Sequence, residues 1–435
     1  MSRSLISQFL SLAIILCFST VVWAEEWPHW RGLRANGTWQ GPELKTEFSE
    51  SDMPKQWEHE CGGGYAGVTV ADQQVYLHDH LKEGEQGSEF SGEEVERLQC
   101  FDLKTGKRQW VHQYPVAYDK LDYGNGPRAA PTIVDGYLYL CGALGDLKCL
   151  RTENGEEVWS IHLQEDLAGR LPTWGYAASP VIKGDLLIIQ PGADQAEAET
   201  IAAQSGAIVA LNRHSGKVVW SSLSDEAGYC TPVIHPHAGI DLLVFWTPSH
   251  IRGLNAATGE PLWEYPYEIT YKVSIATPIV HQNIVLVCGY WDGSKAIELG
   301  ESATDAELLW EDRWNLRGLM SQPLYKGDYV YLLDKQYGIT CFELKTGEKL
   351  WDDKNETTPR GRNPQATLVW LNDSNRAMIL NAEGEFLTAQ LTPEGIHEES
   401  RVPLIGKTWA HPAYAEDNII VRSDTQIICY QLPLK

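Results

Sequence analysis

Short apolar runs recur along the chain, each of strand length and each bounded by turn residues. Examples are Tyr137-Leu138-Tyr139-Leu140, Leu186-Leu187-Ile188-Ile189 and Tyr329-Val330-Tyr331-Leu332. Their length and their β-branched and aromatic content predict buried strands. A second pattern locks onto the first. A Gly is followed four positions later by a Trp at Gly106/Trp110, Gly155/Trp159, Gly216/Trp220, Gly259/Trp263 and Gly347/Trp351. Thr or Ser precedes the Gly in four of these five copies, and Trp310 closes a degenerate one. The Thr-Gly pair predicts a tight turn in which Gly supplies positive φ, and the residues up to Trp predict an outer strand. Six positions before each Gly stands a small residue, namely Cys100, Cys149, Ala210, Gly253 or Cys341. Upstream of the buried runs come Ala130-Pro131, Ser179-Pro180, Thr231-Pro232, Thr277-Pro278, Gln322-Pro323 and His411-Pro412, and Pro is tolerated at the start of an edge strand.

Each unit therefore predicts four antiparallel strands, the pattern of a propeller blade. Outer strands at Trp57, Trp110, Trp159, Trp220, Trp263, Trp310, Trp351 and near Arg401-Val402 count eight units. The chain ends on a third-strand motif, Cys429-Tyr430-Gln431-Leu432, while Gln56-Trp57-Glu58-His59 is an outer strand with no blade before it. Pairing the two ends closes the ring and leaves no free sheet edge. The expectation is an all-β, eight-bladed propeller over residues 56–435, preceded by an N-terminal extension over 25–55. Seven blades is the alternative, because the last two repeats are weak.

Composition narrows the functional classes. The chain has 435 residues and a formal charge of −24. That charge opposes wrapping by nucleic acid or binding to anionic lipid, both of which need positive surface. Residues 1–24 combine Arg3, an apolar run from Leu5 to Cys17 and Val22-Trp23-Ala24 before Glu25-Glu26, which predicts a signal peptide and an exported, periplasmic or secreted protein. No later run is long enough to span a bilayer, and a closed ring is expected to be a monomer. Of nine Cys, Cys100, Cys149, Cys341 and Cys429 share one repeat position and are expected to be small packed residues. A disulfide between Cys141 and Cys149 across a hairpin is a further expectation.

The units Phe101-Asp102-Leu103-Lys104-Thr105-Gly106-Lys107-Arg108-Gln109-Trp110 and Phe342-Glu343-Leu344-Lys345-Thr346-Gly347-Glu348-Lys349-Leu350-Trp351 resemble the pyrroloquinoline-quinone-like (PQQ-like) repeat. That repeat builds the quinoprotein alcohol dehydrogenase-like superfamily, which includes both enzymes and non-enzymatic scaffolds. Trp27-Pro28-His29-Trp30-Arg31-Gly32 resembles the opening of exported members from environmental bacteria, planctomycetes among them. For an enzyme of this superfamily the resemblance implies PQQ and a calcium ion. The adjacent cysteine pair usual in such enzymes does not occur here.

Gly62-Gly63-Gly64-Tyr65-Ala66-Gly67 matches a dinucleotide-binding spacing, but a β repeat follows it where a helix is needed, so it predicts a loop entering the first strand. His78-Asp79-His80 opens a Glu-rich stretch up to Arg97 that predicts a solvated insertion in blade one, with metal binding as the other reading. Topology supplies the remaining candidates. Segments running from one outer strand to the next inner strand meet at one mouth of the channel. They carry Tyr65, Asn125, Arg128, Arg170, Trp174, Tyr176 and Tyr229, then Lys272, Arg317, Arg362, Asn363, Lys407, Trp409 and His411. Arg pairs with acids and aromatic faces stack on rings, so these residues predict binding of an anionic or polyhydroxylated ligand or of a cell-envelope protein. The function expected is an exported, non-catalytic binding propeller. The alternative is a PQQ-dependent alcohol or sugar dehydrogenase.

Overall fold

The computed structural model describes residues 24–119, 121–193, 205–318 and 320–435. The expected signal peptide falls almost wholly outside them. The chain folds as an eight-bladed, all-β propeller of four-stranded antiparallel sheets. Blades one to seven occupy residues 69–116, 132–162, 181–222, 233–266, 279–312, 324–352 and 366–403 in order. Blade eight combines Ala413–Ala415, Asn418–Arg422 and Gln426–Gln431 with an outer strand, Lys55–Glu60, from the other end of the chain. Trp57 pairs with Cys429 there, so the ring closes by joining its termini.

The small residue and the Trp of each repeat prove to be cross-strand partners. Cys100 faces Trp110, Cys149 faces Trp159, Ala210 faces Trp220, Gly253 faces Trp263, Ala296 faces Trp310 and Cys341 faces Trp351. A register shift follows each pair, a bulge that re-aims the outer strand. The indole then reaches the next blade. Trp57 donates its Nε1–H to the Leu103 carbonyl at 2.7 Å, Trp110 to Thr152 at 2.9 Å, Trp159 to Arg213 at 2.9 Å and Trp310 to Leu344 at 2.8 Å. The ring lies on the turn Gly of that blade. At Gly106, with φ 67°, an added Cβ would stand 2.5 Å from the Trp57 ring. The repeat is thus an inter-blade clasp, and each clasp buries an aromatic surface whose removal typically costs about 3–5 kcal/mol.

All eight described cysteines are free. The expected Cys141–Cys149 bridge is absent: Cys141 pairs with Leu147 while Cys149 pairs with Tyr139, so the two thiols occupy different rungs of the hairpin.

Residues 24–45 do not lie on the outside of the ring. Trp27 forms a bridge with Val70 of blade one, and the Pro28 carbonyl accepts from Ile133 of blade two at 2.9 Å. Trp30 Nε1 donates to Thr277 Oγ1 before blade five at 2.9 Å, and Arg31 to the Pro323 carbonyl before blade six at 3.1 Å. Thr38–Trp39 then adds a fifth, parallel strand to the inner edge of blade seven. Within about a dozen residues the segment touches the inner strands of five blades, which it can do only by crossing the channel. Trp39 is fully buried, and Trp27 nearly so.

Candidate functional site

The Pro of each inner-strand motif explains the waist of the channel. The innermost strand is an edge, so a residue without N–H loses no ladder bond there. The residue before Pro is held extended, which turns its side chain toward its neighbour in the next blade. Ser179 N donates to Thr231 Oγ1 at 3.1 Å, and Thr277 N to Gln322 Oε1 at 2.7 Å. Ser321 Oγ donates to Gln365 Oε1 at 3.0 Å. Thr231, Thr277, Gln322, Gln365 and His411 become the polar base of a well of about 570 Å3. Trp30 joins them there, its ring centroid 4.4 Å from that of His411. The channel is therefore blind at the plug and open at the mouth.

The walls are aromatic. Tyr65 and Tyr123 each lie 5.8 Å from Trp409, Trp174 lies 5.7 Å from Tyr229, and Trp291 lies 5.8 Å from Tyr271 and 4.8 Å from Tyr290. Tyr271, Trp291 and Tyr123 keep 69 %, 42 % and 49 % of their surface exposed, and Trp314 on the same face keeps 71 %. Such a concentration of exposed aromatics on one face marks a binding surface. Polar groups are interspersed. Asn363 Nδ2 donates to Tyr123 Oη at 3.2 Å, and Tyr290 Oη to the Arg362 carbonyl at 2.5 Å. Arg128 bonds the carbonyls of Gly126 and Gly124 at 2.5 and 2.8 Å and lies 5.4 Å from the Tyr65 ring. Burial lowers the Arg128 guanidinium from its ordinary value. Burial at the waist, with Arg31 as a lesser cause, pushes the His411 imidazole down to about 3. His411 is thus neutral at physiological pH and a poor proton acceptor.

Of the residues expected at the mouth, Tyr65, Arg128, Trp174, Tyr229, Arg362, Asn363, Trp409 and His411 line the well. The other six do not. Arg170 and Lys272 pair with Glu226 at 3.2 and 2.5 Å, and Lys407 pairs with Glu383 at 3.3 Å. Arg317 donates to Gln336 at 2.7 Å, Asn125 accepts from Leu121 N at 3.2 Å, and Tyr176 is buried with its hydroxyl on the Pro191 carbonyl. The lining is consequently more aromatic and less cationic than the sequence suggests. Trp30, Asp122, Tyr123, Tyr290 and Trp291 were not anticipated. Tyr290-Trp291 sits in the turn between the two buried strands of blade five, which opens on the same face as the outer-to-inner connections. That shared face was the available signal.

The blade-one stretch departs from expectation at its two ends. Its strands Gln74–Leu81 and Glu94–Asp102 run long, and only the turn between them is exposed. His78, Asp79 and Glu96 are fully buried and His80 nearly so. Arg97 forks onto Asp79 at 2.8 and 2.9 Å, and Gly62 N donates to the same carboxylate at 2.7 Å. Glu96 accepts from Tyr114 and Tyr118 and lies 3.1 Å from His78 Nε2. Burial alone would raise Glu96, but His78 and the two hydroxyls outweigh it and hold the carboxyl at about 2. The solvated insertion is confined to the exposed turn 82–93, and its two ends form a buried, hydrogen-bonded junction, because partners from three strands and the glycine loop satisfy their charges. The glycine loop itself enters the first strand, as expected.

A family model described as outer membrane protein assembly factor BamB matches residues 95–353 and 204–432. The chain belongs to this BamB family. The BamB of Shewanella oneidensis is 21 % identical over 68 % of this chain and 71 % of its own length. The quinohemoprotein alcohol dehydrogenase ADH-IIG of Pseudomonas putida is 22 % identical, but the match covers 59 % of this chain and 36 % of that enzyme. Among solved structures, BamB from Moraxella catarrhalis superposes with a TM-score of 0.57 at 15 % identity, over 87 % of this chain and 98 % of that one. The computationally designed Ika8 protein gives 0.55 at 12 % identity, over 90 % and 100 %. At such identities the likeness is one of fold.

The cofactor pair of the quinone enzymes does not fit this BamB-family well. Its aromatic walls suit a planar ring, but among the described residues Asp122 is the one carboxylate on the lining, and no group of three or more His, Cys, Asp or Glu is placed to hold a metal ion.

Proposed function

We propose that this protein is an exported, non-catalytic propeller of the cell envelope that holds a ligand or protein partner at its aromatic mouth. The observation carrying this reading is the blind well with its crown of exposed Tyr and Trp on one face. A dead-ended channel cannot conduct, and His411, held at about 3, is a weak proton acceptor. The BamB relatives, named as outer membrane assembly factors, support a scaffold in the envelope. Among the described residues no helix is long and apolar enough to cross a membrane. The N-terminal run from Leu5 to Cys17 supports export.

A photo-crosslinking residue placed at Trp314, and separately at Val219 on the outer strand of blade three, tests the reading in the native host. A discrete adduct from the mouth position alone is expected. An adduct from Val219 only, or neither an adduct at Trp314 nor any ligand held in the well, would overturn it. So would dye reduction with alcohols or sugars after reconstitution with PQQ and calcium.

A further inference from the structure

The well carries chemistry that narrows its occupant, and the inference drawn here rests on the binding role just proposed. Three features act together. The walls present aromatic faces from Trp409, Trp174, Tyr229 and Tyr271. The base presents amides and hydroxyls, and Gln365 Nε2 has no hydrogen-bond acceptor among the described residues. At the rim, the Arg362 guanidinium has no carboxylate within salt-bridge reach among the described residues, and Lys335 lies over the Trp291 and Tyr290 rings, 3.3 and 4.1 Å from their centroids, likewise without a carboxylate partner.

Each feature removes a class of ligand. A lipid tail or wholly apolar peptide segment would leave the Gln365 amide nitrogen at the base unpaired, which costs about 1–3 kcal/mol. A flat aromatic acid would fill the walls but would not reach donors spread around the waist. A cationic ligand would meet Arg128, Arg362 and, over the Trp291 ring, Lys335, with Asp122 the one carboxylate among the described lining residues. A sugar ring offers an apolar face for stacking and hydroxyls around its edge, and an acidic sugar adds a carboxylate for the rim. The volume lies within the range of ligand pockets, roughly 300–1,000 Å3.

We infer that the well binds a short acidic saccharide of the uronate type, with a sugar ring against the Trp409–Tyr65 wall, ring hydroxyls on the Gln365 amide and the threonine hydroxyls of the waist, and a carboxylate on Arg362 and Lys335. Arg362, exposed and without an acidic partner among the described residues, sets the preference for charge. Trp409 supplies the stacking face that acidic and neutral sugars share.

The test uses the purified chain, calorimetric titration, and three probes: a trigalacturonate, its methyl ester, and neutral maltotriose. Saturable binding of the trigalacturonate is expected, with the ester weaker by about ten-fold, one lost charge-assisted contact. Arg362→Gln should bring acid and ester to within about three-fold of each other, while Trp409→Ala should weaken both by about ten-fold or more. Unfolding temperatures of both variants confirm folding, and Arg108→Gln, on a blade-one outer strand, serves as the unaffected control. Absence of saturation with the trigalacturonate, equal binding of acid and ester by the parent protein, or an Arg362→Gln variant that keeps the full preference would each overturn the inference. Crosslinking at Trp314 to a protein, with no saccharide bound, would also overturn it while leaving the scaffold reading in place.

Discussion

The clasp between neighbouring blades comes down to two side chains and one backbone angle. Gly106 holds φ 67° directly under the Trp57 ring, so a methyl group there is both strained and in collision. Gly106→Ala is expected to destabilise the protein by about 2–4 kcal/mol, the sum of left-handed strain and displaced packing. Equilibrium denaturant unfolding would read this directly, and a loss below about 0.5 kcal/mol would mean that the indole moves freely. His411 makes a second residue-scale prediction. Its folded pKa, about 3, lies below the ordinary histidine value of 6.5. The unfolded chain therefore binds the extra proton first, so the stabilising effect is complete above about pH 6.5 and is lost as pH falls toward 3. His411→Gln should flatten this acid limb by about 2–4 kcal/mol, measured as the unfolding temperature between pH 7 and pH 4. Parallel slopes for parent and variant would contradict the assignment.

At the scale of elements, the plug and the buried strands decide what the outside can reach. Trp39 is fully buried, donates to the Glu25 carbonyl at 2.7 Å and lies 5.4 Å from Tyr414. Trp39→Ala is expected to cost about 3–5 kcal/mol, and limited proteolysis should then cut within 24–45 first. Equal protection of that segment in parent and variant would mean that the indole does not anchor it. The cysteines report on the strands. Seven of the eight described are buried, with Cys61 intermediate and its thiol pushed up to about 12 by burial. Ellman titration of the folded protein should therefore react at no more than one site on a fast timescale, and at all eight of these once denatured. Both elements were only partly legible beforehand. The Thr-Gly turns and Trp strands declare themselves by local rules of φ and periodicity. The destination of Trp27-Pro28-His29-Trp30 does not, because crossing a channel depends on walls supplied from blades hundreds of residues away. Nor did the charge-rich stretch from His78 to Arg97 reveal that its two ends are buried, since their partners Gly62, Tyr114 and Tyr118 come from other segments.

For the whole molecule, closure joins the two ends of the ring in one blade. Deleting residues 426–435 would remove the third strand of blade eight and leave Lys55–Glu60 unpaired. Such a truncation is expected to lose its single unfolding transition and to aggregate through the exposed edge. A circular permutant whose new ends lie in the exposed turn 82–93, with the old ends joined, should keep the parent transition to within a few degrees. Scanning calorimetry distinguishes the two, and equal behaviour would mean that blade eight is dispensable.

The amino-acid sequence by itself determined the blade. Its turns, strand lengths, Gly–Trp spacing and complementary ends are local or repetitive, and repetition leaves little choice of architecture. The tertiary structure alone decided which face became a site. Tyr290-Trp291, Trp30 and the residues before the inner-strand prolines are far apart in the chain, and only closure of the ring brings them to one well. It also decided the sign of that well, because Glu226 and Glu383 neutralise Arg170, Lys272 and Lys407 while Arg362 is left without an acidic partner among the described residues. Charge pairing depends on distances that no linear pattern encodes.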